Sequence, residues 1–340
     1  MKSDEEKLKE LFEMKEKPTF KDTVKKAKTL SIIRTAMVSL MIFIIVAFVV
    51  LMSNALILNN MSNGKEHELR NWFNIAMPNG YMGNTQVDDR IMVGNFEYTR
   101  YRFLGQKPIV DGSFKEDYSY MPLINGLYGD RGYYLFGNSG SSDKELQEMK
   151  SYNKEGKAVM KFYHPLIKYE SYINDLKNLN EIDSNKLMEM SLSFDKAYSL
   201  EEVKNMIPKD VTLNWYWVDT FNENDILKNN NTDNIYKEKT VIFDEYNVYG
   251  IKALDRQGRP AKNPEVEFID SIIRGKENKK DHSGRYESLF NTLSNGKGEI
   301  SKEDLKIIGV VVSGDVETLK ALKDKDYIKA STIGAVADKY

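Results

Sequence analysis

Ala36–Leu58 reads AMVSLMIFIIVAFVVLMSNALIL, apolar except for Ser39, Ser53 and Asn54, inside a stretch from Thr35 to Gly64 without a charged residue. As a helix rising about 1.5 Å per residue it reaches roughly 34 Å, against a hydrocarbon core of about 30 Å. The stretch therefore predicts one transmembrane helix over 35–58. A secretory signal would have a shorter apolar core, about 7–15 residues, nearer the N-terminus. A buried core helix would need an apolar partner face close by, and both flanks are strongly polar.

Outward from this span, the preceding flank sets Lys21, Lys25, Lys26, Lys28 and Arg34 against Asp22, whereas the following flank mixes Lys65, Glu66, Glu68 and Arg70. Positive charge is retained on the cytoplasmic side. Residues 1–34 are thus expected in the cytoplasm, where the lysines can also meet anionic headgroups of the lipid bilayer. The chain from about residue 60 onward is expected on the outer face of the cell membrane.

In the inner segment, Ser3-Asp4-Glu5-Glu6 has the form of a capping box, which predicts a helix from Asp4. Leu8, Leu11 and Phe12 follow at helical spacing, and Pro18 ends the run. Thr19 can cap a second helix, with Phe20, Val24 and Ala27 on one face, continuing into the span. So short a segment buries too little surface to stand as a domain. Periodicity alone leaves two readings open: a peptide that lays an apolar stripe into a groove on a cytoplasmic protein, or a solvated tail with a basic flank.

Composition narrows the rest. Among 340 residues, 29% are charged with a formal net charge of −2, so no global field draws in nucleic acid, and none is expected as a direct partner. The absence of cysteine excludes a disulfide scaffold and a thiolate zinc site. With 20 Tyr, 15 Phe and 3 Trp the outer part should fold, and room remains for two modest cores.

The expected fold class is α+β: a single N-terminal transmembrane helix followed by two mixed α/β extracytoplasmic regions, 59–182 and 183–340. In the first region, Lys65–Phe73 reads as a juxtamembrane linker and first turn, Arg90–Phe103 and Ala158–Tyr163 as strands, and the stretch with Gly126, Gly129, Gly132, Gly137 and Gly140 as loops. Helices are expected at Glu145–Lys150 and Tyr169–Leu179. In the second region, Met190–Phe194 reads as a strand, and Ser199-Leu200-Glu201-Glu202 as a capping box opening a helix that Pro208 stops. In Val211–Val218 the alternation puts Val211, Leu213, Trp215 and Trp217 on one face. Asn229-Asn230-Asn231 marks a loop and Tyr246–Leu254 a strand. Helices at Glu265–Ile273 and Arg285–Leu293, a strand at Leu305–Val312, a helix at Val316–Lys323 and an extended Ile333–Val336 complete the pattern.

No motif selects a reaction. His67, His164 and His282 are isolated and read as structural or solvated, since none sits in an H-E-x-x-H arrangement. Asn295–Ile300 has the glycine spacing of a calcium loop, yet Leu293 and Lys297 would occupy ligand positions, so a helix C-cap is the better account. The same glycines form no phosphate-binding G-x-G-x-x-G, and Gly-Asn-Ser-Gly at 137–140 is no nucleophile elbow. No catalytic residue, metal ligand or cofactor site is assigned, and an enzyme is not expected.

The C-terminal half carries recognisable words. Leu192-Ser193-Phe194-Asp195-Lys196-Ala197-Tyr198-Ser199, Trp215-Tyr216-Trp217-Val218-Asp219 and Tyr249-Gly250 resemble the C-terminal domain of membrane-bound sigma factor regulators. The closing stretch, Gly309-Val310-Val311-Val312-Ser313-Gly314 and then Ile328-Lys329-Ala330-Ser331-Thr332-Ile333-Gly334-Ala335-Val336, looks like that family's ending. The likeness covers roughly 185–340. The chain from Phe20 into the first outer region is similar, more weakly, to the family's N-terminal domain.

The resemblance implies an anti-sigma factor whose inner segment holds an extracytoplasmic-function sigma factor away from RNA polymerase, while the outer part receives an envelope signal. The inner segment has no Cys/His metal module, so inhibition would rest on Leu8, Leu11, Phe12, Phe20 and Val24 as sigma-factor contacts. A lone helix conveys a signal by associating, tilting or being cut, which implies an auxiliary membrane protein or regulated proteolysis. The competing reading is an outer-face module for a ligand or cell-wall component with a passive tail. An ectoenzyme ranks last. The outer aromatic residues are expected to be core.

Overall fold

The computed structural model describes residues 20–121, 134–136, 150–230, 242–278 and 282–340. Leu8, Leu11, Phe12, the glycine-punctuated loop and residues 145–149 of the helix expected at Glu145–Lys150 lie outside these. The first helix, α1, is Phe20–Ala76. The chain divides into a unit ending at Asn59 and a second, Asn60–Tyr340.

The first unit's described part is helix, and its apolar side chains from Leu30 to Val46, Ile42 and Phe43 among them, stand exposed. A helix that is apolar on every face without a protein partner is suited to a lipid surround. It is long and apolar enough to cross a bilayer.

The second unit opens with the end of α1. Lys65–Phe73, expected as a linker, is helical. The reason is local and tertiary at once: Arg70 and Glu66 pair at i,i+4 (2.7 Å), and Trp72, Phe73, Ile75 and Ala76 are buried. The helix stops where Pro78 removes a donor and Asn79 takes a left-handed φ of 49°. A three-stranded antiparallel meander follows: β1 (Tyr81–Asp89), β2 (Val93–Leu104) and β3 (Lys107–Ser119).

Three short strands come next, β4 (Tyr134–Phe136), β5 (Tyr152–Asn153) and β6 (Lys161–Phe162). The helix expected over Tyr169–Leu179 is instead a 3-10 turn, Asp175–Glu181, preceded by extended chain. Tyr163, Tyr169 and Tyr172 pack edge to face there, and Asn174 bridges to Ser331, contacts that a regular helix would not make.

The main sheet is built from β7 (Lys186–Tyr198), β8 (Thr212–Val218), β10 (Gly250–Lys252), β11 (Ile307–Asp315) and β12 (Ile328–Asp338), ordered β10-β8-β11-β7-β12 and antiparallel throughout. The helix α2 (Leu200–Met206) starts from the expected capping box: Ser199 Oγ accepts from Glu202 N–H at 3.3 Å and Glu202 accepts from Ser199 N–H at 2.7 Å. Next, α3 (Glu223–Asn230) absorbs Asn229 and Asn230, two positions expected in a loop, and Asn222 caps it through Asp225 N–H. The strand β9 (Phe243–Asp244) pairs with β6. The helices α4 (Pro264–Asn278), α5 (Ser283–Ser294) and α6 (Val316–Lys320) complete the set. After α5, Asn295, Gly296 and Gly298 all have positive φ, the left-handed exit of a C-cap rather than a calcium loop.

One face of the main sheet holds the largest core, where Met190, Leu192, Tyr216, Val310 and Val312 meet Phe268 and Ile272 of α4, Tyr286 and Leu289 of α5, Leu319 of α6, and Trp72 and Ile75 of α1. The other face holds a smaller cluster with Trp215, Trp217, Phe162 and Val311. The single face expected for Val211, Leu213, Trp215 and Trp217 is therefore split. Val311 pairs with Trp215 but Val312 with Leu213, so Asn214 is an extra residue in β8. That bulge turns Leu213 towards the larger core, leaves both tryptophans on the opposite face, and aims Asn214 inward. Both tryptophans are wholly buried, as expected of core.

Candidate functional site

Of the proposed sigma-factor contacts, Phe20 and Val24 stand four residues apart on α1, with relative exposures of 84% and 50%. Leu8, Leu11 and Phe12 lie outside the described residues. The histidines divide as structural and solvated: His67 is exposed, His164 is buried with Nε2 3.2 Å from Asp219 Oδ1, and His282 stacks on Trp72 at 4.1 Å with Nδ1 2.6 Å from Glu68.

A feature that sequence reasoning missed lies in the second unit, where β2 packs on the face of the main sheet opposite the largest core. Alternation along β2 sends Arg100 and Arg102 inward together. Arg100 Nε reaches Asp111 of β3 at 2.6 Å, and Arg102 touches three carboxylates: Asp111 at 2.7 Å, Glu189 of β7 at 2.8 Å and Glu245 at 2.5 Å. Lys157 lies 3.6 Å from Asp111. Three cations thus face three anions, and apart from Lys157 all of them are buried.

The asparagines close the seam. Asn79, from the turn after α1, donates to Glu189 at 2.6 Å and to the Phe103 carbonyl at 2.8 Å. The bulge residue Asn214 donates to Asn79 Oδ1 and to the same carbonyl, each at 3.1 Å. Glu189 also accepts from Ala335 N–H at 3.1 Å. Farther along β7 the buried Ser191 donates to the Lys161 carbonyl at 2.7 Å, and Ser193 accepts from Tyr163 N–H at 2.9 Å.

Charge balance decides the protonation tendencies. Burial favours the neutral form of each group, yet the carboxylates hold the Arg102 guanidinium well above its usual range. For Asp111, burial acts upward and is outweighed by Arg102 and Arg100, so its pKa is lowered. For Glu189, burial prevails over Arg102, with Glu245 adding to the rise, so its pKa is raised. With its oxygens occupied by arginines and amide donors, the seam is a structural clasp between meander and main sheet. No group of His, Cys, Asp or Glu among the described residues is arranged to hold a metal ion.

A cleft of about 300 Å³ opens beside the edge strand β10, between the end of α1, the start of β1 and the loop entering α4. Four basic residues line it, Arg70, Lys252, Arg256 and Lys262, against Asp255 and Glu267. Lys252 donates to the carbonyls of Met77 (3.2 Å) and Gly80, and its ammonium stands 4.2 Å from the centre of the Tyr81 ring. Burial pushes its pKa well below the usual lysine value, and Arg256 and Arg102 push the same way. The sequence held a faint sign of the seam in Arg100-Tyr101-Arg102, two arginines on one face of an aromatic strand, but none of the cleft, which two distant stretches, 70–82 and 252–268, assemble.

Comparison with known families places the description "Sigma factor regulator C-terminal" on residues 179–335 and "Sigma factor regulator N-terminal" on residues 21–109. No curated protein and no solved structure matches the chain.

Proposed function

The chain belongs to the sigma factor regulator family, and from that premise we propose that it is a membrane-anchored anti-sigma factor whose cytoplasmic residues 1–34 sequester an extracytoplasmic-function sigma factor. A sigma factor is the partner class that the family carries. The outer part, divided as a first region 59–182 and a second region 183–340, receives an envelope signal. An auxiliary membrane protein or regulated proteolysis relays it.

The observation that carries this reading is α1 itself. One helix without a break, Phe20–Ala76, begins with exposed Phe20 and Val24 beside a basic flank and ends with Trp72 and Ile75 in the core of the second unit. A binding stripe and a folded receiver on one helix suit a protein that links an inner partner to an outer event. The lysine-rich flank before the span supports an inward N-terminus.

The test is transcription from the promoters of the held sigma factor in cells carrying the full chain. Leu11→Asp/Phe12→Asp should raise it at least tenfold, with the protein still at wild-type abundance in the membrane. Promoters that stay repressed in that strain would show that this segment is not the inhibitory surface, and a passive tail would then be the better account.

A further inference from the structure

The cleft beside β10 has a charge arrangement that the fold does not use. Both of its acids are already engaged, Asp255 with Arg259 at 2.8 Å and Glu267 with Arg274 at 2.7 Å. Arg70 is engaged as well, with Glu66 at 2.7 Å. Lys252, Arg256 and Lys262 make no ion pair among the described residues. Arg256 and Lys262 are exposed at the rim, whereas half-buried Lys252 is held on backbone carbonyls, which orient an ammonium without neutralising it. Phe73, Tyr81 and Phe268, all buried side chains, supply an apolar wall.

The geometry points to a binding site for a small phosphate monoester, its dianionic head set among Lys252, Arg256 and Lys262 and its organic part against Tyr81 and Phe73. A carboxylate would leave more of this positive charge unanswered than a dianion does. A desolvated lysine beside an open cleft gains most from an anion, because charge-assisted hydrogen bonds strengthen where water is displaced. The cleft's wall includes Arg70, Phe73 and Asn74 of α1, so an occupant bridges that helix to the α4 loop. That such an occupant is the signal the regulator reads rests on the function proposed above; that the cleft binds it does not.

The experiment is isothermal titration of the full chain in phosphatidylcholine nanodiscs with glycerol 3-phosphate and, separately, inorganic phosphate. Saturable binding is expected, weakened roughly tenfold or more (about 1.4 kcal/mol) by Arg256→Gln/Lys262→Gln, two exposed changes that leave the fold intact by near-ultraviolet circular dichroism. Lys252→Met should abolish binding. Repeating the titration in nanodiscs containing phosphatidic acid separates the sources: lost heat means that a lipid headgroup fills the cleft, unchanged heat that a soluble ester does. No saturable binding in any arm, or equal affinity in the folded double variant, would overturn the assignment. Promoter activity reports the anti-sigma reading independently, so the two fail separately.

Discussion

Replacing Arg102 with Met keeps the length of the side chain and removes its charge. Asp111, Glu189 and Glu245 would then sit buried within one seam, with Arg100 and Lys157 in direct contact with Asp111 and acting on the two glutamates only from a distance. Breaking a buried ion pair by deleting one partner costs about 3–5 kcal/mol, since the abandoned charge stays desolvated. Against a total stability of about 5–15 kcal/mol this is a large fraction, equal to a fall in Tm on the order of 10 °C. Urea unfolding of the full chain in nanodiscs, followed by fluorescence of Trp72, Trp215 and Trp217, reads the loss, because all three are buried in the second unit. The sign with pH follows from linkage. In the variant, Glu189 loses its cation, so the burial that already raises its pKa acts without that opposition, and the folded state binds more protons. Lowering the pH from about 7.5 to 5.5 should therefore narrow the gap to the wild type. A loss below about 1 kcal/mol, or a gap that widens on acidification, would refute the view of Arg102 as the clasp.

Further outcomes follow from single contacts. Ser199→Ala removes the hydroxyl half of a capping box and should cost about 1 kcal/mol, read as a lower urea midpoint at unchanged slope. Gly250→Ala would drive a methyl group into the Tyr216 carbonyl across the β10–β8 pair and should cost about 2–3 kcal/mol; an unchanged midpoint would mean that this edge strand is free to shift. In wild-type protein, the depressed pKa of Asp111 contributes stability that is present above its unfolded value of about 4 and is lost as pH falls through the lower folded value. The raised pKa of Glu189 works the other way, its cost disappearing below pH 4. The Asp111→Asn variant should accordingly lose less stability than the wild type between pH 4 and pH 2, measured by the same unfolding assay.

What the sequence made legible was whatever depends on neighbours along the chain. The apolar run from 36 to 58 falls inside the longer helix α1, and the capping box at Ser199, the helix pair at Glu265 and Arg285 and the strands at Val93 and Ile307, which rest on local period and punctuation, are in the structure within a few residues. The misses share another cause. Lys65–Phe73 looked like a linker because its polar residues hid Trp72 and Phe73, which declare themselves only once Tyr286 of α5 packs on the first and Tyr98 of β2 on the second. In Met188–Phe194 the alternation of Met and Leu with Glu and Ser has the form of a strand with one wet face, yet Glu189, Ser191 and Ser193 are buried against Arg102, Lys161 and Tyr163. A polar residue that meets water and one that meets a partner from eighty positions away are the same letter. The bulge at Asn214 likewise inverted half of β8, because one inserted residue exchanges the faces of a strand.

The burial of α1's outer end restricts how a signal could pass along it. Detaching that end would expose Trp72, Phe73 and Ile75, at about 1.5–3 kcal/mol for each large side chain, together with the bonds from Asn71 to the Ser271 carbonyl and the Tyr286 hydroxyl at 2.7 and 3.0 Å. The sum approaches the stability of a whole domain. A local hinge over Lys65–Phe73 is therefore the most expensive way to move the helix. On the proposed function, an outer event is conveyed by displacement of α1 together with the unit that grips it, or by cutting the helix, and a ligand in the cleft at Arg70, Phe73 and Asn74 would strengthen that grip. The double change His67→Gly/Leu69→Gly would make the distinction: a softened helix there should uncouple outer events from promoter activity if displacement is the route, and leave the response intact if cleavage is.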